Sequence, residues 1–576
     1  MRISYFASIL KSYSILKNIN KITARQSSRT ILGDKITPLT ENTLLGRMLL
    51  YLNNSVNKVP DNSLQDGTNV INNLIHGKTN SLRSLNVDQI AALFYNVNTN
   101  ILSHNKQNLR KVLNLLDVEC CFRINTMKPE SILKLLNAFM HVTPNRITDY
   151  KFYHYATDNI DRCLKDISKK ELLQFIFYIG LQKQTKKAQV MLRKCLRNIN
   201  RELLDKLSIE DLCIVCNSTY RTNTKISNAH LLDKIKRTLN DNLNLMKDPA
   251  LFVTLLKTVK QNHYEDEDLL STISCTIFFN NTAQYYTFTT ICYILSLYAD
   301  YLYYDEELLN LLIQRGIEQL KASGEVATKN MYLTEQLRAK DITILLWAVS
   351  SLGYTKIDIK TLKDVFLPKI KERISIGEYK SSPDILIDAV LYMWMLNYRA
   401  IEILPLVLTK ENTENVRESQ SKSRHHLNLL LTCIAYEEPE LYKNLRIKST
   451  GIPNFNPNQQ IQNRPLLQRV LKNLKALAPI SMVQQVETNC QIPYFNILGI
   501  SGYDDKMNKV VNIEVLDEFV CVKNKDCHPS GLMQLKLRLL EQVQVPLIII
   551  NQGEIDSMTD LELHEFLEEE IKLVSN

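Results

Sequence analysis

Glycine is scarce in this chain, with 14 residues among 576. Loops that bind the phosphates of nucleotides need glycine, because their backbone must approach the phosphate closely. Leucine, isoleucine, asparagine and lysine dominate the sequence instead. This composition favours helices over an all-β or a Rossmann architecture.

Long apolar runs are missing as well: no stretch reaches the roughly 18 residues that a membrane span needs, so none is expected. The 12 cysteines are scattered, which excludes a disulfide scaffold and suits a reducing compartment. Cys213 and Cys216 have the spacing of a CxxC pair, but no second pair of cysteines or histidines follows at a compatible distance. Packing in the core is therefore predicted for both, and neither a metal site nor a cofactor is indicated.

Acidic residues are absent from residues 1–33. Basic residues recur there among Ser, Tyr, Ile and Leu, namely Arg2, Lys11, Lys17, Lys21, Arg25 and Arg29. Such a segment is typical of a mitochondrial presequence, and a basic disordered tail is the alternative. Residues 34–80, with a stretch rich in Asn, Asp, Ser and Gly, are predicted to be a flexible lead-in.

A helix opening recurs through the middle of the chain: a polar or acidic residue, an aliphatic anchor, and apolar residues three or four positions further on. The intervals between successive anchors are 42, 40, 40, 39, 40, 51 and 43 residues. The anchors, all predicted to be core residues, are Ile90, Ile132, Leu172, Leu212, Leu251, Ile291, Ile342 and Ile385. About forty residues accommodate two helices and their turns, so residues 81–410 are predicted to form an α-solenoid. An insertion around residues 324–329 explains the longest interval.

The net charge of +9 permits an anionic partner without requiring one. Between Glu171 and Glu202 the sequence is basic and contains no acidic residue. Apolar residues form one stripe of a helix there, which leaves the basic side chains toward solvent or phosphate. The predicted nucleic-acid-binding residues of this region are Lys183, Lys186, Lys187, Arg193, Lys194 and Arg197. The alternative is a solvated helix face.

Residues 506–576 differ from everything upstream, because they combine an apolar strand pattern at 510–522, a basic helix at 531–540, a second strand at 545–550 and an acidic helix from 559 onward. This order resembles the RAP domain, a small α/β module with a restriction-endonuclease-like fold that is associated with RNA-binding proteins of organelles. The helix keeps the Leu-Lys-x-Arg pattern of that domain. The resemblance therefore implies that Lys536 and Arg538 are functional or contact RNA.

Two upstream segments strengthen this resemblance. Residues 337–354 resemble the start of the first characteristic block of the FAST-kinase-domain family, placed around 337–405. Residues 427–442 resemble the second block, within a region, 411–505, that is predicted to be helical. The resemblance implies a protein of the mitochondrial matrix that controls the processing, stability or translation of organellar RNA, with RNA-processing or ribosomal proteins as further partners. The sequence has no Gly-rich phosphate loop and no HRD or DFG triplet, so protein kinase activity is not expected.

Two alternatives to an RNA-binding regulator remain open. The nuclease-like fold of RAP domains implies a metal-dependent endoribonuclease, for which Asp517, Glu518 and Lys536 are the catalytic candidates and a divalent cation would be the cofactor. The other alternative is a scaffold that binds proteins only, since a solenoid surface serves either kind of ligand. Oligomeric state is left open.

Overall fold

A computed structural model describes residues 64–97, 106–143, 146–164, 167–322, 337–418, 421–445, 447, 449, 455–478 and 483–575. This part of the chain is mainly helical and has a small four-stranded sheet near the C-terminus, which confirms the predicted fold class at that level. The predicted presequence and the predicted insertion at 324–329 lie outside the described residues. Within the described part, no helix is long and apolar enough to cross a membrane.

The first α-helices along the chain are α1 Leu64–Ile75, α2 Asn80–Arg83, α3 Val87–Val97, α4 Lys106–Arg123, α5 Pro129–Val142, α6 Lys151–Asp158, α7 Ile160–Cys163, α8 Lys169–Gly180, α9 Lys186–Arg197, α10 Arg201–Asp205, α11 Ile209–Thr222, α12 Ala229–Asp241, α13 Pro249–Gln261, α14 Glu267–Phe279, α15 Phe288–Asp300 and α16 Glu306–Ala322. Those that follow are α17 Ala339–Ser351, α18 Ile359–Thr361, α19 Leu367–Ser375, α20 Pro383–Met395, α21 Leu404–Val407, α22 Lys410–Glu418, α23 Ser421–Glu437, α24 Pro439–Asn444, α25 Pro457–Gln462 and α26 Pro465–Leu477. Short 3₁₀ segments are Ile124–Thr126, Ile147–Asp149, Leu243–Lys247, Thr282–Tyr285 and Ile401–Ile403, and Leu362–Phe366 is π-helical.

The C-terminal elements are β1 Gln485–Asn489, β2 Gly499–Tyr503, β3 Lys509–Leu516, α27 Gly531–Glu541, β4 Leu547–Asn551, α28 Gln552–Ile555 and α29 Asp560–Ser575. Strands β1, β2 and β3 pair antiparallel in sequence order, and β4 pairs parallel to β3. Parallel neighbours need a crossover connection, and α27 lies in that connection.

The recurrent helix openings are present as predicted, since each anchor lies in a helix: α3, α5, α8, α11, α13, α15, α17 or α20. Seven anchors are buried, but Ile385 is only partly buried and Leu386 takes the core position beside it. Two of the openings are capping boxes, in which Ser168 pairs with Glu171 and Ser208 with Asp211. These boxes satisfy backbone N–H groups that the first turn of a helix leaves unpaired.

The chain divides into two compact units, 1–238 with 257–264, and 239–256 with 265–576. In the first unit, α3 packs against α5, α5 against α8, and α8 against α11. Polar side chains support this packing: the Asn137 amide donates to Gln174 Oε1 at 3.1 Å, and the Tyr178 hydroxyl donates to Asn137 Oδ1 at 2.5 Å. Cys213 and Cys216 are buried, as predicted for core residues.

Of the flexible lead-in predicted for residues 34–80, residues 34–63 lie outside the described residues, and residues 64–75 form α1 instead. Ile71 and Leu74 of this helix are fully buried, and α1 packs against α3 and α4. The asparagines and glycine of this segment obscured an apolar face whose burial outweighs their low helix propensity.

In the second unit, α15, α17, α20 and α23 pack against one another in that order. The sheet begins before the predicted boundary at 506, since β1 and β2 lie within the region predicted to be helical, 411–505. The strand predicted at 510–522 ends at Leu516. Strand β2 was missed because two of its five residues are glycines, which have low strand propensity.

The two faces of β3 are buried by different partners, which explains why its polar residues are inside. Val511, Ile513 and Val515 share a core cluster with apolar residues of α26 and α29. The alternate residues point to the other face because side chains alternate along a strand. Leu516 on that face packs with Met533 of α27, so Glu514 is directed toward α27 as well.

A glycine sets the close approach of α8 and α11 in the first unit. A Cβ atom at Gly180 would lie 2.5 Å from Ser218 Oγ and 2.9 Å from its Cα atom, so the helix backbones would have to separate. We expect Gly180→Ala to lower the free energy of unfolding by about 1–3 kcal/mol, the usual cost of overpacking. Urea unfolding of the full chain, followed by circular dichroism, measures the change.

The matched control is Gly316→Ala, in the middle of α16. The nearest atom to a Cβ there is Leu345 Cδ2 at 3.4 Å, an ordinary contact. Alanine is the better helix former, so this variant should gain about 0.5–1 kcal/mol. Equal effects of the two substitutions would contradict the close approach at Gly180.

Candidate functional site

Helix α27 carries the two residues of the C-terminal region that the sequence marks as functional. Lys536 projects toward the sheet, and Arg538 projects toward α20 and α23. Gln534, four residues before Arg538, lies on the same side and hydrogen-bonds to the backbone after α17. The helix therefore joins the sheet to the helices on its other side.

Lys536 and Glu514 form an ion pair that is closed to solvent. Both side chains are fully buried, and Lys536 Nζ donates to Glu514 Oε1 and, at 3.0 Å, to the Ile497 carbonyl oxygen. Burial raises the pKa of Glu514 and lowers the pKa of Lys536, because it disfavours each charged form, while their mutual attraction opposes both shifts. The pair is a structural ion pair with no access for RNA in this conformation.

The surroundings of Glu514 leave acceptor oxygens without a donor among the described residues. These are Glu514 Oε2 and Gln491 Oε1. A Cβ atom at Gly499 would lie 2.3 Å from Glu514 Oε1 and 2.2 Å from Gln491 Oε1. Strand β2 thus requires glycine at this position, since any side chain would displace the polar groups.

A second buried pair lies beside the first. Arg464, just before α26, has no exposed side-chain surface, and its Nε donates to Asp517 Oδ2 at 2.8 Å. Its two remaining nitrogens donate to the Leu498 and Val515 carbonyl oxygens, each at 2.7 Å. One guanidinium therefore ties the end of β3 to the segment that leads into β2.

The structure does not assemble the nuclease candidates Asp517, Glu518 and Lys536 into one metal-binding group. Asp517 is bound by Arg464, Lys536 is bound by Glu514, and Glu518 is exposed. Among the described residues, no three His, Cys, Asp or Glu side chains are placed to hold a metal ion. A divalent cation at Glu514 would meet one carboxylate and a buried ammonium group, so these residues do not fit it.

Arg538 occupies a site built by two helices of the FAST-like blocks. Its Nε donates to Glu437 Oε1 at 2.9 Å, and one terminal nitrogen donates to the Trp394 carbonyl oxygen at 2.8 Å. Glu437, at the end of α23, is 1% exposed at its side chain and also accepts from the Trp394 indole N–H. Arg399 adds a longer contact to Glu437 at 3.8 Å. RNA contact by Lys536 and Arg538 remains a prediction, and in this structure both have protein partners.

The N-terminal end of α27 meets the last turn of α17 and the chain just after it. A Cβ atom at Gly531 would lie 1.5 Å from the Ser350 carbonyl oxygen, so only glycine fits. The Gly353 carbonyl oxygen accepts from Gln534 Nε2 at 3.1 Å and lies 3.0 Å from His528 Nε2. Gly353 has a φ of +62°, a left-handed conformation that favours glycine.

The basic residues predicted around α9 fall into two groups. Lys187 is paired with Asp158, and Lys194 with Asp161 at 2.5 Å. The other four are exposed and have no acidic partner in the described part of the chain: Lys183, Lys186, Arg193 and Arg197. This helix therefore presents cations that remain available to an anionic ligand.

Sequence reasoning missed two ion-pair partners of the RAP-like region: Glu437, which binds Arg538, and Arg464, which binds Asp517. The sequence did indicate that Glu514 needs a cationic partner, because this residue interrupts an apolar run in β3, a strand that is buried on both faces. A carboxylate at such a position needs a cation nearby. No sequence spacing identifies that cation, because Lys536 follows 22 residues later in a different element.

Arg538→Met should remove the guanidinium and leave the Glu437 carboxylate buried with weaker compensation. Breaking a buried pair in this way costs about 3–5 kcal/mol, although the Trp394 indole and Arg399 retain part of the stabilisation, so we expect the lower end of that range. Urea unfolding of the full chain measures it. Lys572→Met, in an exposed pair with Glu568, should leave the midpoint unchanged. A midpoint as high in Arg538→Met as in the control would rule out a stabilising pair.

The Glu514–Lys536 pair is tested by a double-mutant cycle. Glu514→Gln and Lys536→Met should each lower the free energy of unfolding by about 3 kcal/mol, since each leaves one buried charge alone. The double variant removes both charges of this pair and so leaves neither of them unpaired; it should lose clearly less than the sum of the two. Strict additivity would mean that the two side chains do not interact. Lys506→Met, an exposed lysine in the preceding turn, is the control.

Comparison with known proteins relates this chain to a mitochondrial protein of the mouse. The chain is similar to FAST kinase domain-containing protein 2, mitochondrial, of Mus musculus, with 23% identity over 344 residues. The alignment covers 57% of this chain and 46% of the mouse protein, so the chain matches less than half of that relative's length. No model of a known protein family matches the chain. The similarity supports the resemblance to the FAST-kinase-domain family.

Proposed function

We propose that this chain is a mitochondrial RNA-binding protein that regulates the processing, stability or translation of mitochondrial transcripts. The observation that carries the proposal is the similarity to a mitochondrial FAST kinase domain-containing protein. In addition, helices of the two segments that resemble FAST blocks pack against α27 of the RAP-like region. Location in the matrix, and RNA-processing or ribosomal proteins as partners, are part of this proposal. The basic segment at 1–33 supports the location.

RNA binds on the basic surface of the helical repeats, which we propose to be an α-solenoid. On α9, Arg193 and Arg197 are four residues apart and so lie on the same side of the helix. Guanidinium groups bind a phosphate through two hydrogen bonds and also stack on bases. The paired lysines Lys187 and Lys194 contribute less, because an incoming phosphate must compete with their aspartates.

The RAP-like C-terminal unit assists binding and does not cleave the RNA. The Glu514–Lys536 pair and the contact between Arg538 and Glu437 hold α27 in one position, and the Arg464–Asp517 pair fixes the end of β3. Endoribonuclease activity would need carboxylates arranged around a divalent cation. The neutralised pairs at Glu514 and Asp517 favour a structural role for these residues.

Two double variants of α9 test the RNA surface with the same loss of charge. Arg193→Gln with Arg197→Gln should weaken binding of single-stranded RNA and lower the slope of log K against log salt by about 1.4, for two phosphate contacts. Lys187→Gln with Lys194→Gln should change affinity and slope much less. Fluorescence anisotropy of labelled RNA, titrated at several salt concentrations, measures both.

Equal losses in the two variants would mean that only net charge matters and would contradict a defined surface on α9. In mitochondria, UV crosslinking and sequencing of the attached RNA test the biological role. Enrichment at transcript junctions or untranslated ends is the expected result. Recovery of no RNA above an untagged control, with import verified, would refute the proposed function and favour the protein-only scaffold.

A further inference from the structure

A small basic cavity lies in the first compact unit, between α10 and α12. It has a volume of about 30 Å³. Its lining residues are Arg201, Leu204, Asp205, His230, Lys234 and Arg237. Five of the six carry polar or charged groups, and only Leu204, which is buried, is apolar.

The local sequence explains why these side chains converge. His230, Lys234 and Arg237 are separated by four and three residues, so they lie on one side of α12. Leu231 and Ile235 on the other side of that helix are buried and fix its orientation. Arg201 opens α10, whose first turn is capped by Asn200 through a 2.9 Å hydrogen bond to the Leu203 N–H.

The cations of this cavity differ from several lysines nearby, because none of them forms an ion pair among the residues that the structure describes. Nearby lysines are paired, for example Lys194 with Asp161 and Lys206 with Glu202, each at 2.5 Å. Arg201, Lys234 and Arg237 have no ion-pair partner in the part of the chain that the structure describes. Asp205 is the one acidic residue among those lining the cavity, so positive charge remains in excess there.

We propose that this cavity binds a phosphate group of single-stranded RNA. Two guanidinium groups and one ammonium group offer charge-assisted hydrogen bonds to the non-bridging oxygens. The His230 imidazole adds a donor in the tautomer whose N–H faces the ligand. Arg201 follows α9 by four residues, which brings the cavity next in sequence to the exposed arginines of that helix.

The size of the cavity limits what enters it. A buried water needs roughly 10–15 Å³, so the space accepts about two oxygen-sized atoms and excludes a base or a ribose. The site therefore positions the backbone and does not select sequence. This inference rests on the proposed RNA binding and adds the group that is bound and the residues that bind it.

Arg201→Gln with Arg237→Gln tests the cavity in the full-length protein. We expect the Kd for single-stranded RNA to rise about tenfold and the salt slope to fall by about 0.7, for the loss of one phosphate contact. Arg110→Gln with Lys170→Gln removes the same charge from exposed positions on α4 and α8 and is the control, expected to change the Kd less than twofold. Circular dichroism confirms that both variants are folded. Strands with a 5′-phosphate and a 5′-hydroxyl distinguish a terminal from an internal phosphate as the bound group.

Asp205→Asn gives a prediction of opposite sign. Loss of the only carboxylate that lines the cavity should tighten RNA binding several-fold, which a purely structural role of Asp205 does not explain.

If wild type binds RNA and both cavity variants bind it equally well, the cavity inference is wrong while the proposed function stands. If wild type binds no RNA, the proposed function fails first. Vesicles of anionic lipid are the second ligand to be tested. If the arginine double variant loses binding to these vesicles and keeps its binding to RNA, the cavity belongs to a membrane-binding surface and the inference is overturned.

Discussion

The Glu437 carboxylate is buried at the end of α23, and its charge requires the guanidinium of Arg538. A buried carboxylate is costly unless it is paired and hydrogen-bonded, so α27 must lie where Arg538 reaches it. The same position brings Gly531 against the Ser350 carbonyl oxygen and Gln534 against the Gly353 carbonyl oxygen. The two FAST-like segments and the RAP-like segment are far apart in sequence, yet each supplies hydrogen-bond partners for buried polar groups of the others.

The polar centre of the C-terminal unit follows from this placement. Once α27 is fixed by Arg538, Lys536 on its other side is directed into the sheet, where Glu514 is its counter-charge. Arg464 is likewise the buried counter-charge of Asp517. Two of the three residues proposed as catalytic candidates from the sequence, Asp517 and Lys536, thus form buried ion pairs that hold strands and helices together, whereas Glu518 is exposed.

The sequence predicted helix positions well, since the spacing of anchors such as Ile90 and Leu212 reports burial on one side of a helix. It also located α27, β4 and α29. It failed for β2, whose glycines serve the contact at Gly499, and for α1, whose polar composition obscured Ile71 and Leu74. The partners of Lys536 and Arg538 could not be predicted, because both pairs join residues distant in sequence and depend on tertiary packing.

Charge composition alone says little about ligand binding in this protein, because ion pairs engage some of its lysines and arginines and leave others exposed to a ligand. Lys187 and Lys194 count toward the net charge as much as Arg193 and Arg197 do, yet only the two lysines have acidic partners in the described part of the chain. A phosphate that approaches a paired lysine must displace a carboxylate, whereas an unpaired guanidinium exchanges only water and counterions. The useful property for recognising an RNA surface is therefore the distribution of unpaired cations, which only the folded arrangement of acids and bases determines.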